Sequence, residues 1–237
     1  KILPWDSSML LTAQRKTGKT TLLANLAHAL FTGEDFLGNP EFEVRALEPG
    51  ERIAILNYEV NGRTMASDLE ARGVPMDRVI LINLRGMLNP FRYERLKVQL
   101  AQQLREQNVS SVFVDTFGQA FVGDDQNSAA SVSAWLNELS VWTRGEVGAK
   151  DLILTAHAGW TGDRTRGSSA LEDWPDSIVH LKRKDADDLN SVRMLRANGR
   201  EDVDVEWGEL PYDADTREVT YESQRVSPAD AAQARLD

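Results

Sequence analysis

The sequence has no cysteine among its 237 residues. This absence excludes disulfide bonds, zinc sites built from thiolates and catalysis by a thiol nucleophile, and it is typical of proteins kept in a reducing compartment. Long apolar runs are missing as well, since none approaches the roughly 20 residues that span a bilayer. The first eight residues do not contain the apolar segment of a secretory signal peptide. We therefore expect a cytoplasmic protein with no membrane partner.

The sequence has fewer basic than acidic residues: 27 Lys and Arg against 37 Asp and Glu, which gives a net charge of −10. A field of this sign repels nucleic acids, so any nucleic-acid site has to be a local basic patch. The length and an apolar content of 41% suffice for one sizeable core. We expect that core at residues 1–207, followed at residues 208–237 by a strand and a short helical tail packed on it or on a neighbouring subunit.

Short apolar runs alternate with longer amphipathic stretches, which is the pattern of buried parallel strands joined by crossover helices. The runs predict strands at residues 9–12, 52–57, 78–82, 111–115, 152–155 and 177–181. Helices are predicted at residues 20–30, 62–72, 91–107 and 128–144, the third with Leu96, Leu100 and Leu104 on its apolar stripe. The predicted fold class is α/β, with a mainly parallel twisted sheet flanked by helices.

The last part of the chain has a different pattern. Strand-like pieces at residues 192–196, 203–207 and 219–222 are separated by turn-forming residues, among them the pair Asn198-Gly199. These pieces predict an antiparallel edge to the sheet. Ser227 opens the sequence of a capping box, which predicts a short final helix.

The stretch AQRKTGKT lies where the first predicted strand ends and the first helix begins. It matches the P-loop pattern in all but its first glycine, which is Ala13 here. In a P-loop, backbone N–H groups bind the phosphates of ATP, the lysine (Lys19) neutralises phosphate oxygens, and the hydroxyl of Thr20 is a ligand of Mg²⁺. The predicted ATP-binding residues are Ala13, Gln14, Arg15, Lys16, Thr17, Gly18, Lys19, Thr20 and Thr21. A basic loop that merely begins a helix is the alternative, and Ala13 is its main support.

Three polar residues follow the ends of later strands. Asp115 ends the run SVFVD, at the strand end where ligands of open α/β sheets collect, and is predicted to bind Mg²⁺ or its water shell. Glu59 follows the strand at 52–57 and is predicted to act on the water that attacks the γ-phosphate. His157 follows the strand at 152–155 and is predicted to sense the γ-phosphate or to relay its loss to the loop that follows. The alternatives are a surface glutamate for Glu59 and a packing residue for His157.

The local basic patch is the segment GWTGDRTRGSS at residues 159–169. Arg164 and Arg166 are predicted to contact DNA phosphates, and Trp160 is predicted to stack on a base. An ordinary surface loop is the alternative. A second loop, at residues 123–127, is acidic and would repel phosphate, so only residues 117–122 before it could approach DNA.

The sequence resembles the RecA-type ATPase core of the RepA-like hexameric helicases of plasmids and phages. The motifs that carry the resemblance are, in chain order, AQRKTGKT, YEV, VFVDTFG, LTAHAG, RGSSALED and LRANGRED. The resemblance covers roughly residues 3–207. It implies a RecA-like fold, ATP hydrolysis at the subunit interfaces of a ring or filament, Glu59 as the catalytic carboxylate, and loops at 118–128 and 159–168 that face DNA.

The resemblance also implies an arginine that acts on the ATP of a neighbouring subunit. Asn198 stands where the family often has the lysine of a Lys-x-Arg pair. Arg200 is therefore the first candidate and Arg196 the reserve. A turn residue paired with Glu201 or Asp202 is the alternative for Arg200.

These predictions describe an ATPase with ATP and Mg²⁺ as cofactors. It would act on single-stranded or branched DNA as a ring, expected to be a hexamer, and work as a helicase or translocase in replication or recombination. Two alternatives stay open. One is a DNA nuclease on a RecA core, in which Glu59, Asp115, Asp124 and Asp125 gather divalent ions; the other is a regulatory ATP-binding module.

Overall fold

A computed structural model of the chain describes residues 2–3, 5–158, 165, 168–200 and 203–223. The described strands are β1 (Ser8–Ala13), β2 (Arg52–Asn57), β3 (Val79–Asn83), β4 (Val109–Asp115), β5 (Asp151–His157), β6 (Ser177–Arg183), β7 (Arg193–Gly199), β8 (Asp204–Leu210) and β9 (Glu222–Ser223). The α-helices are α1 (Lys19–Thr32), α2 (Gly62–Ala71), α3 (Glu94–Glu106), α4 (Phe117–Ala120), α5 (Ala129–Val141) and α6 (Ala170–Asp173). A π-helical turn at Trp142–Val147 extends α5, and 3₁₀ turns lie at Phe36–Gly38, Pro40–Phe42, Met76–Arg78 and Pro90–Arg92.

All nine strands belong to one sheet, in the order β3-β2-β4-β5-β1-β6-β7-β8-β9. Strands β1 to β6 pair in parallel, whereas β7, β8 and β9 pair antiparallel at one side. The predicted α/β class and the antiparallel C-terminal edge are thus confirmed. Because parallel strands point the same way, β1, β2, β4, β5 and β6 all end at one edge of the sheet, called the carboxyl edge below.

Alternate residues of the parallel strands face opposite sides of the sheet, so the core has two halves. In one half, Leu11 and Ile55 pack with the apolar residues of α1 and α2. In the other half, Leu10 and Leu56 pack with those of α3 and α5. Covering both faces of the parallel part leaves its carboxyl edge as the open side on which loops can form a site.

The predicted helix at 91–107 differs from the observed one. A 3₁₀ turn occupies Pro90–Arg92, and α3 begins only at Glu94. Leu104 is buried as predicted, but Leu96 is 36% exposed and the buried face contains Lys97 instead. The reason is packing against the end of α5, where the Lys97 ammonium pairs with Glu138 at 2.7 Å and the Lys97 carbonyl accepts the indole N–H of Trp142.

The predicted Asn198-Gly199 turn is wrong. Both residues belong to β7 and pair with Ile178 and Ser177 of β6. A Cβ atom at Gly199 would lie 2.2 Å from the carbonyl oxygen of Asp176, so this glycine permits a close backbone approach rather than a turn.

The C-terminal part extends the sheet. The predicted boundary at residue 207 lies inside β8. The predicted strand at 219–222 is reduced to a single bridge between Val219 and Tyr212 and to the two-residue β9. The predicted helix after Ser227 lies outside the described residues. No helix in the described part is long and apolar enough to cross a membrane.

Candidate active site

The loop after β1 has the shape of a P-loop. Gly18 precedes α1 with a left-handed backbone (φ 105°), a conformation that favours glycine. Thr17 is buried, and its hydroxyl donates to the carbonyl oxygen of Gln14 at 2.7 Å, which curls the loop. Ala13 is the last residue of β1, where extended backbone accepts alanine in place of glycine, and its carbonyl oxygen accepts the N–H of Ala158. The missing first glycine therefore does not disturb the loop.

Lys19, Glu59 and His157 come together at the carboxyl edge. The Lys19 Nζ atom lies 3.1 Å from His157 Nδ1 and 3.6 Å from Glu59 Oε2, and His157 Nε2 lies 3.3 Å from Glu59 Oε1. A lysine ammonium only donates, so Nδ1 of His157 accepts and the ring hydrogen sits on Nε2, which donates to Glu59. The three residues form a closed cluster, called the Lys19–Glu59–His157 triangle below.

The order of the strands explains this triangle. Strand β5 lies between β1 and β4, and β2 lies on the far side of β4. His157, at the end of β5, is therefore the neighbour of the P-loop, and Glu59 reaches it from the loop after β2. The hydrogen bond from His157 is the main cause that lowers the pKa of Glu59, against partial burial, and the charge of Lys19 adds to it. Glu59 is thus a carboxylate at neutral pH.

Asp115 is almost fully buried at the end of β4, with 1% of its surface exposed. The Thr155 hydroxyl donates to its Oδ1 at 2.5 Å, whereas its Oδ2 has no hydrogen-bond partner. Burial raises the pKa of Asp115, because the charged form is poorly solvated there. An unpartnered buried carboxylate oxygen beside a P-loop fits a magnesium ion, which binds one or two carboxylates together with substrate phosphates. Thr20, half-buried at the start of α1, is the second residue able to hold it.

The carboxylate cluster of the nuclease alternative is not found. Among the described residues, no group of three or more His, Asp or Glu side chains is arranged to hold a metal ion. Asp124 and Asp125 are exposed in their loop, and Asp125 caps the N–H of Asn127. Glu59 is engaged with Lys19 and His157 instead.

Arg200 lies at the other end of the sheet. Strand β7 runs antiparallel to β6, and its last residue, Gly199, pairs with the first residue of β6. Arg200 is therefore at the edge where the parallel strands begin. It is 65% exposed and pairs with Asp176 at 3.5 Å. Its predicted alternative partners, Glu201 and Asp202, lie outside the described residues. Arg196, the reserve, places its guanidinium 5.0 Å from the ring centroid of Trp207.

The predicted DNA-binding residues Trp160, Arg164 and Arg166 lie outside the described residues. Of residues 117–122, the two aromatic residues contribute to the core. Phe117 and Phe121 are buried, with ring centroids 5.5 and 5.8 Å from that of Trp135. Their rings attach α4 to α5.

Two residues near the P-loop had no signal in the sequence. Thr155 points from β5 to Asp115, and Arg193 at the start of β7 donates from Nε to the carbonyl oxygen of Thr17 at 3.2 Å. Burial and the charge of Arg183 lower the pKa of Arg193. Both contacts join segments that are far apart in the chain, so only a known strand order would have indicated them.

The sequence profile of the AAA domain family matches residues 1–163. This range contains the P-loop, Glu59, Asp115 and His157. No curated protein matches the chain.

Proposed function

The chain belongs to the AAA domain family and is a P-loop ATPase, and from this premise we propose that it hydrolyses ATP with Mg²⁺ to move along single-stranded or branched DNA as a ring. The Lys19–Glu59–His157 triangle carries the proposal. It joins the phosphate-binding lysine, a carboxylate and a histidine at the strand ends where a γ-phosphate would lie. A loop that only begins a helix would not need such a cluster.

ATP binding changes the partners of Lys19. The Nζ atom that now faces Glu59 and His157 turns to the β- and γ-phosphate oxygens, which carry more negative charge than one carboxylate. Glu59 is then free to accept a hydrogen bond from a water molecule. As the water oxygen bonds to the γ-phosphorus, the bond to the β,γ-bridging oxygen breaks, and Glu59 takes the proton of the water.

Asp115 and Thr20 are the residues that would hold Mg²⁺, which neutralises charge on the phosphate oxygens. The Thr155 hydroxyl fixes one oxygen of Asp115, and the other has no hydrogen-bond partner and is left for a cation. Because Asp115 is desolvated in the folded chain, a cation beside it would offset the cost of its buried negative charge. Metal binding and the fold are therefore coupled at this residue.

The link to DNA is supported by the position of the loops after β4 and β5. Both leave the carboxyl edge, and the N–H of Ser168 donates to the carbonyl oxygen of Gln126, which joins them at 3.1 Å. His157 is directly followed by the loop that carries Arg164 and Arg166. A change at the γ-phosphate thus has a short covalent path to the residues proposed to bind DNA.

The ring is supported by the position of Arg200. Among the described residues, the ion pairs of Glu59 are with Lys19 and His157 and not with an arginine. Phosphoryl transfer in related systems gains about 10³ to 10⁵ in rate from an added arginine. Since Arg200 is at the opposite edge of its own sheet, it serves this role only toward the ATP of another chain.

The proposal is tested with labelled branched DNA, Mg²⁺ and the purified chain, with and without ATP. Strand separation that needs ATP supports it, shortened DNA supports the nuclease, and neither product supports a regulatory module. Lys19→Ala is expected to abolish hydrolysis, since phosphate charge loses its neutralising partner. Lys150→Ala is the matched control, because Lys150 also pairs with a glutamate (Glu51, 3.1 Å) but lies just before β5, at the opposite edge of the sheet from the P-loop. Full hydrolysis by Lys19→Ala contradicts the proposed site.

A further inference from the structure

The residues that follow β3 carry a local excess of positive charge. Residues 85–95 (RGMLNPFRYER), called the arginine segment below, contain three arginines and one glutamate in a chain whose net charge is −10. The glutamate is already paired with Lys97 at 2.8 Å. The ion pairs found among the described residues do not include the three exposed arginines, which are Arg85, Arg92 and Arg95. Their charge is therefore available to an anionic ligand.

Large apolar and aromatic side chains are exposed between these arginines. Met87 is 69% exposed, Leu88 64% and Tyr93 46%. A charged face that only keeps a protein in solution has no use for such side chains, whereas exposed apolar groups with a polar rim mark binding surfaces. An exposed tyrosine ring beside arginines is suited to stack on a base, because every base has a π-face.

The arginine segment is held in one shape from its centre. Asn89 Oδ1 accepts the N–H of Phe91 at 3.1 Å, and Asn89 Nδ2 donates to the carbonyl oxygen of Ala120 in α4 at 2.8 Å. The ring of Phe91 is buried, with its centroid 5.1 Å from that of Trp142. The backbone that carries the exposed side chains is thus fixed before any ligand binds, which lowers the entropic cost of binding.

The arginine segment lies at the carboxyl edge, because β3 ends at Asn83 and runs parallel to β2. Asn89 joins it to α4. The side-chain amide of Gln126 donates to the carbonyl oxygen of Gly118 in α4 at 2.9 Å, and its own carbonyl oxygen accepts the N–H of Ser168. Hydrogen bonds therefore connect the segment, through α4, with the loops after β4 and β5 that are proposed to face DNA.

We propose that the arginine segment is a further binding site for single-stranded DNA; the inference rests on the proposed action on DNA and deepens it. Its three arginines contact phosphates, and Tyr93 stacks on a base. The segment is also close in bonding to the hydrolysis site. The Tyr58 hydroxyl donates to Asn89 Oδ1 at 3.1 Å, and Tyr58 directly precedes Glu59.

The test measures binding of a labelled oligothymidylate by fluorescence anisotropy at several salt concentrations. Changing all three arginines to alanine is expected to reduce the salt slope by about 2, since each phosphate contact on a single strand contributes about 0.7. Tyr93→Ala is expected to weaken binding on the order of tenfold without changing the slope, because stacking involves no phosphate charge. Tyr93→Phe keeps the ring and should keep most of the affinity.

Arg144→Ala is the matched control and should leave slope and affinity unchanged. Arg144 is likewise exposed and likewise outside the ion pairs of the described residues, but it lies in the π-helical turn just before β5, at the opposite edge of the sheet. Circular dichroism of each variant shows that it is folded.

Three outcomes would overturn the inference. If the triple arginine variant keeps the wild-type slope while the Arg164 and Arg166 double variant does not, the chain binds DNA but not through the arginine segment. If the triple variant keeps its DNA binding and changes the sedimentation of the chain instead, the segment contacts another protein chain. If the wild-type chain does not bind the oligothymidylate, the proposed action on DNA fails and this inference fails with it.

Discussion

Replacing Glu59 by glutamine is expected to separate ATP binding from ATP hydrolysis. The change keeps the shape of the side chain and removes its charge. The Nε2–H of His157 still finds an acceptor in the amide oxygen. What is lost is the ion pair with Lys19, at 3.6 Å, and the ability to take a proton from water.

The loss of the ion pair affects the affinity for ATP, whereas the loss of the base affects the rate of hydrolysis. Two unit charges at 3.6 Å attract by about 4.6 kcal/mol at an effective dielectric constant of 20. Glu59 is 28% exposed, so water and salt screen the pair, and a net value of about 1 kcal/mol is the reasonable expectation. Freeing Lys19 from this pair should tighten ATP binding about fivefold. Loss of a positioned base should slow hydrolysis at least 100-fold, within the usual range of about 10² to 10⁴.

Equilibrium binding of ATP and single-turnover hydrolysis measure the two effects separately. Glu34→Gln is the matched control, because Glu34 contacts His28 Nε2 at the same 3.3 Å but belongs to the loop after α1. It should change neither quantity. If Glu59→Gln weakens ATP binding while turnover per bound ATP stays at the wild-type level, Glu59 is a structural residue and the reasoning is wrong.

Three further predictions concern the metal ligand, the DNA loop and the subunit contact. Asp115→Asn should abolish Mg²⁺-dependent hydrolysis yet raise the melting temperature at pH 7, by roughly 2–4 °C for each kcal/mol gained. Burial raises the pKa of Asp115 in the folded chain above its usual 3.8. Ionisation of Asp115 therefore destabilises the folded chain as the pH rises from 3.8 through the raised pKa. The gain should therefore shrink as pH is lowered toward 4 in thermal unfolding scans, and a gain independent of pH would contradict this. Changing both Arg164 and Arg166 to alanine should weaken binding of single-stranded DNA and reduce its salt slope by about 0.7 for each lost phosphate contact, and an unchanged slope would move the DNA site elsewhere. Arg200→Ala and Lys19→Ala chains, each inactive alone, should regain part of the ATPase activity when mixed, because some interfaces then pair an intact P-loop with an intact Arg200. Mixed rings without recovered activity would show that Arg200 does not act on a neighbouring subunit.

The P-loop and the two carboxylates were identifiable from the sequence, because the signals that mark them are local. An apolar run followed by AQRKTGKT and a helical pattern specifies a strand, a phosphate loop and a helix in succession. Asp115 and Glu59 each follow a buried run, and parallel strands bring their carboxyl ends to one edge whatever their order. The α/β class and the antiparallel C-terminal edge followed from the same local periodicity.

Only the tertiary structure decided which of these residues touch. The contact of His157 with both Lys19 and Glu59 depends on β5 lying between β1 and β4, and strand order is set by packing between segments that are far apart in the chain. The same holds for the buried position of Phe117 and for the ladder that draws Asn198 into β7, since long-range packing and hydrogen bonds override local preference there. A cavity beside the P-loop is the extreme case: it is lined by α1, the β6–β7 hairpin and the residues after β8, which meet only because β6 and β7 are added next to β1.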